Sequence, residues 1–181
     1  PNLKSVTMPE NYNKLFVYNT DLEQPLLTNV TDDDPDDCQI SSNASDPAEG
    51  LSFHALIDGN PESFWHSSYH STADPGTYHY LQADISNNPQ KAFQIYLRRR
   101  EGTYGNYDRP TAGNIYVTND TTGQWNGTAK WQLAKTVTGL ETASEVYECF
   151  TPGIELAEPA SYIRFEVIEK ANAPSRNLNG Y

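Results

Sequence analysis

The sequence lacks a long apolar run and an excess of positive charge. Its 181 residues contain no apolar stretch near the roughly 20 residues that a membrane-spanning helix needs, and no signal peptide is visible. Aspartate and glutamate number 24 against 12 lysines and arginines, which gives a formal net charge of −12. Nucleic acids and anionic membrane surfaces both require cationic patches. The composition therefore argues against nucleic acid and membrane insertion, and it suits neutral ligands and bound cations.

Cysteine is also scarce. The two cysteines, Cys38 and Cys149, match no metal-binding spacing. They either pair across the fold or remain two buried thiols. Pairing would close a loop of about 110 residues and contribute about 4–5 kcal/mol in the chain-entropy model. The sequence leaves both alternatives open.

Signatures of catalysis are missing too. No Gly-x-Ser-x-Gly elbow is present. The four histidines lie between residues 54 and 79, but their spacing matches no zinc-binding signature. Pairs of carboxylates, which a glycosidase needs, can be drawn from 24 acidic residues without any specificity. The sequence therefore predicts that the chain is not an enzyme.

From residue 38 onward, short apolar runs alternate with turn clusters rich in glycine. Alternation is clear in residues 92–97 and 162–168, as in half-buried strands, and no segment sustains an apolar helical stripe. Regularly spaced short strands are typical of sandwiches and jelly rolls, so we predict an all-β, antiparallel β-sandwich. The predicted strands cover residues 38–42, 78–85, 92–99, 114–119, 131–137, 144–150 and 161–168.

Residues 1–37 have a different character. Residues 32–37 hold five aspartates and one proline, a pattern typical of a solvated linker, and residues 14–18 form one possible strand. We predict that residues 1–37 are an N-terminal extension or the tail of a preceding domain, and that residues 38–181 form the sandwich. Because Pro1 is an improbable native start, we expect an excised fragment of a larger multidomain protein with targeting information upstream.

One stretch carries a family resemblance. Residues 58–67 read Asp-Gly-Asn, two residues, then Ser-Phe-Trp-His-Ser. This motif resembles the first-loop signature of the discoidin, or coagulation factor 5/8 type C, superfamily, and is most similar to its bacterial family 32 carbohydrate-binding modules. The later segments 80–85, 93–100, 114–120 with Trp131, and 162–167 resemble that family's following strands in order and spacing. The resemblance implies a discoidin-type jelly roll of the galactose-binding-domain-like kind.

Oxygen-bearing side chains are concentrated in the turn of residues 58–63. Such a turn can supply the six to eight oxygens that calcium prefers, or its side chains can simply satisfy their own backbone. The resemblance implies a structural calcium ion held by the Asp58 side chain, by carbonyls near Ala55 and Asn60, and by Ser63. The family's last ligand is a glutamate on the final strand. Residue 181 is reached before such a strand, so we expect that strand to be missing.

Two loops, residues 66–70 with Tyr78 and His79 beyond them, and residues 100–109, combine aromatic rings with planar polar groups. This is the combination that covers a pyranose face and binds paired hydroxyls. The resemblance places the ligand on these loops at one end of the sandwich. As a competing role, Arg100 could pair with Asp84 or Glu101, and we expect Phe64, Trp65 and Trp131 to be core residues. The predicted ligand contacts are His66, Tyr69, Arg100 and Asn106, followed by Tyr104, Tyr107 and His70.

Taken together, these features predict a non-catalytic, calcium-stabilised carbohydrate-binding module that binds a glycan or cell-surface polysaccharide. We expect it in a secreted or cell-surface bacterial protein, which could be anchored in the outer membrane through an upstream segment. The alternative is a discoidin-type adhesion domain that binds a protein or cell-surface partner.

Overall fold

The structure of the protein is a computed structural model. It describes residues 15–19, 39–44, 53–58, 60, 62–68, 78–100, 109–122, 129–140 and 148–171.

The described residues form β-strands and one short 3₁₀ helix. No helix in this part of the chain has the length and apolar character that crossing a membrane requires. The all-β prediction is therefore confirmed. The strands are β1 (Leu15–Asn19), β2 (Ile40–Ser42), β3 (Tyr80–Asp84), β4 (Gln90–Arg98), β5 (Pro110–Thr118), β6 (Gln132–Thr138), β7 (Glu148–Phe150), β8 (Ile154–Ala160) and β9 (Tyr162–Lys170), and the 3₁₀ helix spans Phe53–Leu56.

The strands make two antiparallel sheets. One sheet has the order β2-β3-β9-β5-β6, and the other has the order β1-β4-β7 with β8 also paired to β4. Strand β4 is thus flanked by β1 on one side and by β7 and β8 on the other. This arrangement confirms the predicted antiparallel sandwich.

The hydrophobic core lies between the sheets and follows the alternation read in the sequence. Ile163, Phe165 and Val167 of β9 are all buried, as a period-two pattern with one buried face requires. They pack in one cluster with Phe93 and Ile95 of β4 in the facing sheet. Burial of these apolar side chains is the main force that holds the two sheets together.

One predicted core residue lies elsewhere. Trp131 is half-buried and does not belong to the core cluster. Its ring contacts the Arg164 guanidinium carbon, 4.1 Å from the ring centroid, on the outer face of the five-stranded sheet. The core prediction is wrong for Trp131, because the alternation of β6 points this position away from the facing sheet.

Strand β8 was not predicted. Its sequence, Ile154–Ala160, contains Pro159 and two glutamates and exposes most of its side chains. Proline and exposed acidic residues are tolerated in a strand at a sheet edge, where one row of backbone groups needs no partner. The sequence of β8 therefore predicts a loop, and it is the pairing with β4 that makes this segment a strand.

The predicted N-terminal extension contributes to the sheet. Strand β1 pairs with β4 from Leu15 opposite Leu97 to Asn19 opposite Phe93. The rest of residues 1–38 lies outside the described residues, so the boundary at residue 38 stays a prediction. Both alternatives for Cys38 and Cys149 stay open, since Cys38 lies outside the described part.

Chain directions define one end of the sandwich, which we call the upper end. Strand β3 begins there at Tyr80, β4 ends there at Arg98, β5 begins there at Pro110, and β9 ends there at Lys170. The backbone N–H of Ala171 donates to the Arg109 carbonyl at 3.1 Å at this end. Because β2 leads into it and β3 leaves it, the described residues between these two strands belong to the upper end, as do Arg99, Arg100 and Arg109.

Candidate functional site

The segment that leads into the candidate site begins with the 3₁₀ helix. Ala55 and Leu56 of this helix are buried, and Leu56 belongs to the core cluster. The Ile57 backbone N–H donates to the His54 carbonyl at 2.9 Å, which closes the turn. The helix thus anchors on the core and directs the chain outward at Asp58.

Asp58, Asn60 and Ser63 form a small cluster of oxygen atoms. Asp58 Oδ1 accepts a hydrogen bond from the Asn60 backbone N–H at 2.8 Å, and Asp58 Oδ2 contacts the Ser63 hydroxyl. The Ser63 hydroxyl also lies 3.1 Å from the Asn60 carbonyl oxygen. Because a hydroxyl has one proton to donate, it cannot satisfy both acceptors fully. The turn therefore concentrates electron-rich oxygens at one point.

These oxygens suit a hard cation better than a transition metal. Within the described ranges, no three His, Cys, Asp or Glu side chains gather as metal ligands. Calcium instead accepts carboxylate, carbonyl and hydroxyl oxygens, and three of the predicted ligands, Asp58, Asn60 and Ser63, bring such atoms together. The donor set fits calcium in type, and it leaves positions to be completed by further oxygens.

Trp65 anchors the far end of the segment between the 3₁₀ helix and Trp65, which we call the Asp58 loop, to the core. Its side chain is 8% exposed and belongs to the core cluster, so the core prediction is confirmed for Trp65. Its ring stacks on Phe53, with centroids 5.9 Å apart and planes inclined by 23°. The loop is therefore held at both ends by buried aromatic and aliphatic side chains.

Arg100, the first residue of the second predicted ligand loop, contacts the segment that leads into the first. Its guanidinium carbon lies 4.7 Å from the centroid of the Phe64 ring, a cation–π geometry. Phe64 is half-buried under this contact and lies outside the core cluster. The core prediction is wrong for Phe64, because one face of its ring is covered by Arg100 rather than by the facing sheet. Asp84, one suggested ion-pair partner of Arg100, lies at the opposite end of β3 and caps the Ser86 backbone N–H at 2.8 Å. The structure thus brings Arg100 to the loop of residues 62–68.

Two histidines lie beneath this surface. His66, a predicted ligand contact, is only 6% exposed, and its Nδ1 lies 2.6 Å from the Ser67 carbonyl oxygen. A carbonyl can only accept, so Nδ1 carries the proton and donates. His79 Nδ1 lies 3.0 Å from the Ser67 hydroxyl, and both residues are buried. His79 and Ser67, which were not predicted, support the loop from below.

Asn43 is a further residue that sequence reasoning missed. Its side-chain amide donates to the Tyr78 carbonyl at 3.0 Å, and its Oδ1 accepts from the Tyr80 N–H at 2.9 Å. Asn43 thereby fixes the start of β3 beside His79. Its only sequence signal is a glycosylation tripeptide, which does not indicate this role.

The other predicted contacts cannot be placed. Tyr69, His70, Tyr104, Asn106 and Tyr107 lie outside the described residues, and their roles stay predictions.

Comparison with known proteins adds a family assignment. The family model described as the F5/8 type C domain matches residues 39–178. A comparison with curated proteins finds no match.

Solved structures share the fold. CpGH89CBM32-5 from Clostridium perfringens, in complex with GalNAc-β-1,3-galactose, is 13% identical over 72% of this chain and 84% of that chain, with a TM-score of 0.52. The CBM32-1 and CBM32-2 domains of Clostridium perfringens ZmpB, in complex with GalNAc, are 13% identical over 72% of this chain and 30% of that chain, with a TM-score of 0.53. The family 32 module of Clostridium perfringens NanJ, in complex with galactose, is 17% identical over 72% of this chain and 82% of that chain, with a TM-score of 0.48. At these identities, the two similarities above 0.5 show the fold alone.

Proposed function

The chain belongs to the F5/8 type C domain family, and from this premise we propose that it is a non-catalytic carbohydrate-binding module with its glycan site at the upper end. One observation supports the proposal: the Arg100 guanidinium lies on the Phe64 ring, which brings Arg100 beside the segment of residues 62–68. Loops at one end of a rigid sandwich are where ligand-binding residues concentrate.

The chemistry of this end suits a saccharide. A guanidinium presents several donors in a fixed plane, and its contact with Phe64 keeps it in one orientation. Hydroxyl pairs of a sugar can accept from such a fork, while aromatic rings cover the apolar face of the pyranose. The similar modules named above were solved in complex with galactose, GalNAc or GalNAc-β-1,3-galactose, which makes these sugars the first probes.

The biological setting follows from the same proposal. A glycan or cell-surface polysaccharide as partner places the domain in a secreted or cell-surface bacterial protein. As a binding module it would serve a larger multidomain protein by holding it on its target.

Calcium is the second part of the proposal. Asp58, Asn60 and Ser63, together with a carbonyl near Ala55, would hold the ion. Calcium would supply charge neutralisation at Asp58, and it would fix the loop that carries Phe64. Its role is structural.

Removal of the Arg100 side chain tests the glycan site. We expect Arg100→Ala to weaken binding to galactose-type glycans by roughly 10- to 100-fold, because hydrogen bonds from a charged donor contribute about 1.5–3 kcal/mol. Glycan-array binding and calorimetry measure the loss, with Tyr104→Ala as a second variant on the same loop. Lys91→Ala is the control, since Lys91 is an exposed cation at the far end of β4, the strand that precedes Arg100. Parental affinity in both Arg100→Ala and Tyr104→Ala would contradict this location.

Chelation tests the calcium site. We expect a chelator to lower the melting temperature of the parent, because an ion present at 100 times its Kd stabilises by about 2.7 kcal/mol. Asp58→Ala should melt low with or without chelator. Asp120→Ala is the matched control. The Asp120 carboxylate also accepts hydrogen bonds from backbone N–H groups, those of Thr122 at 2.9 Å and Lys130 at 3.2 Å, but it lies at the opposite end of the sandwich. An unchanged melting temperature in the chelated parent would rule out the site.

A further inference from the structure

The outer face of the five-stranded sheet carries a row of aromatic and planar polar side chains. Register places Gln82 of β3, Arg164 of β9 and Tyr116 of β5 side by side, and Tyr80, Glu166 and Asn114 in the next row. Leu133 and Thr136 of β6 continue the two rows. We call these eight residues, together with Trp131, the outer-face array.

Arg164 is the centre of the array. Its guanidinium carbon lies 3.8 Å from the Tyr80 ring centroid and 4.1 Å from the Trp131 ring centroid, so the group is held between two rings. Its Nε and Nη2 both donate to Gln82 Oε1, at 2.9 and 2.7 Å. Gln82 is itself buried and donates to the Ser41 hydroxyl at 3.0 Å. The guanidinium is therefore fixed in one orientation before any ligand arrives.

This placement is costly for a purely structural arginine. Burial lowers the pKa of Arg164, because desolvation disfavours the charged form. Its hydrogen-bond acceptor is a neutral amide rather than a carboxylate. The Glu166 charge nearby acts to raise the pKa of Arg164, so it offsets the cost of burial only in part. Among the described contacts, Nη1 makes no hydrogen bond. A costly, oriented group with a spare donor is typical of a binding surface.

Glu166 supplies acceptors beside this donor. Its Oε1 accepts from the Tyr116 hydroxyl at 3.4 Å and from the Asn114 amide at 3.3 Å, while the Thr136 hydroxyl donates to Asn114 Oδ1 at 2.7 Å. Burial and the Glu166 charge raise the pKa of Tyr116, so its hydroxyl remains a donor. The two bonds to Glu166 are longer than the usual 2.7–3.2 Å, and a ligand hydroxyl can replace them at little cost.

The array is open on the β6 side. Thr136 is exposed, and Leu133 is 56% exposed, a large value for an apolar side chain. Together with the Tyr116 ring, Leu133 offers an apolar patch directly beside the polar rows. Such a neighbourhood of apolar surface and a few convergent polar groups is characteristic of small-ligand sites.

We propose that the outer-face array is a second binding surface, and that its ligand is a neutral saccharide unit. Arg164 and Glu166 carry opposite charges two residues apart, so the local charge cancels and an ionic ligand gains nothing. Vicinal hydroxyls need a donor and an acceptor close together, which the free edge of Arg164 and the carboxylate of Glu166 provide. The apolar face of the sugar would cover Tyr116 and Leu133. Glu166 lies four residues, about 13 Å, before the end of β9, so the Arg164 and Glu166 centre of this surface is set back from the upper end, which the array reaches only at Tyr80.

Amide chemical-shift mapping tests the proposal. The ¹⁵N-labelled protein is titrated with galactose, glucose, mannose, N-acetylglucosamine and GalNAc-β-1,3-galactose, each to about 50 mM, which detects millimolar Kd values. With at least one of these sugars, saturable shifts are expected at residues 113–117 and 164–167. The same shifts should persist in Arg100→Ala. This variant removes the contact proposed at the upper end, so it distinguishes binding at the array from binding at the upper end.

Variants of the array complete the test. Glu166→Gln and Tyr116→Phe keep the shape of each side chain, and each should weaken the shifts on β5 and β9 at least tenfold in apparent affinity. Glu155→Gln, an equal charge change at an exposed position of β8, should leave them unchanged, and melting curves confirm that each variant folds. Two results would overturn the proposal. One is the absence of saturable shifts on this face with every sugar of the panel, and the other is unaltered shifts in both Glu166→Gln and Tyr116→Phe.

Discussion

Gly113→Ala is expected to destabilise the protein by about 3 kcal/mol, at the upper end of the range for overpacked cores. A Cβ at this position would lie 2.6 Å from Cζ of Phe165 and 2.9 Å from the Glu166 carbonyl oxygen. Real Cβ atoms do not approach other atoms so closely, and the second neighbour is backbone that belongs to the central strand β9. Neither the ring nor the sheet can move away without losing core packing.

Equilibrium denaturation of matched glycine variants measures this effect. Gly153→Ala is the control, because a Cβ there meets nothing within 4 Å, and its free energy of unfolding should stay within about 0.5 kcal/mol of the parent. Adding Phe165→Leu to Gly113→Ala should cost less than the sum of the two single changes, since the smaller side chain vacates the contested space. Parental stability in Gly113→Ala would show that the ring does not lie over Gly113.

Trp65→Ala is expected to cost about 3–5 kcal/mol, the usual loss for a buried aromatic ring. Trp65 is part of the core cluster and stacks on Phe53, so its removal leaves a cavity directly below the Asp58 loop. The loop is then anchored at only one end. We therefore expect Trp65→Ala to lower the glycan affinity and the melting-temperature response to a chelator, in addition to the stability.

Leu133→Ala is the control for this change. Leu133 is 56% exposed, and its truncation should alter the free energy of unfolding by about 0.5 kcal/mol or less. Thermal and urea denaturation compare the variants. If Trp65→Ala unfolded no more easily than Leu133→Ala, the Asp58 loop would not depend on the core for its position.

The 3₁₀ helix and Trp65 explain why a binding site can be built on this fold. The loop with the oxygen cluster begins at a buried 3₁₀ helix and ends at a buried tryptophan, so it has little freedom of its own. Arg100 then reaches it from the end of β4. A rigid sandwich thus positions short loops, and a shallow site keeps its shape without a ligand.

Much of the fold was predictable from local pattern. Alternation in residues 162–168 predicted a half-buried strand, and Ile163, Phe165 and Val167 are buried as expected. Strand β8 was missed because Pro159 and the glutamates carry no strand signal by themselves. Trp131 was misassigned, because an aromatic residue beside a strand reads as core until a partner such as Arg164 is known.

The candidate site was likewise predictable only in part. The motif of residues 58–67 pointed to Asp58, Asn60 and Ser63, and their oxygens do converge. By contrast, His66 reads as a surface contact and is largely buried. The supporting bonds of Asn43 and His79 join residues 35 and 12 positions apart, and no local pattern reveals such pairs.

The family, the all-β class and the oxygen-rich turn follow from the sequence, because they rest on short motifs, on the order of those motifs and on local alternation along the chain. Three contacts emerge only from the folded chain: Arg100 lies on Phe64, Gly113 lies beneath the Phe165 ring, and Arg164 lies between Tyr80 and Trp131. Those contacts join residues that are far apart in the chain, and their geometry is set by sheet register and by the packing of the two sheets, which are properties of the whole fold.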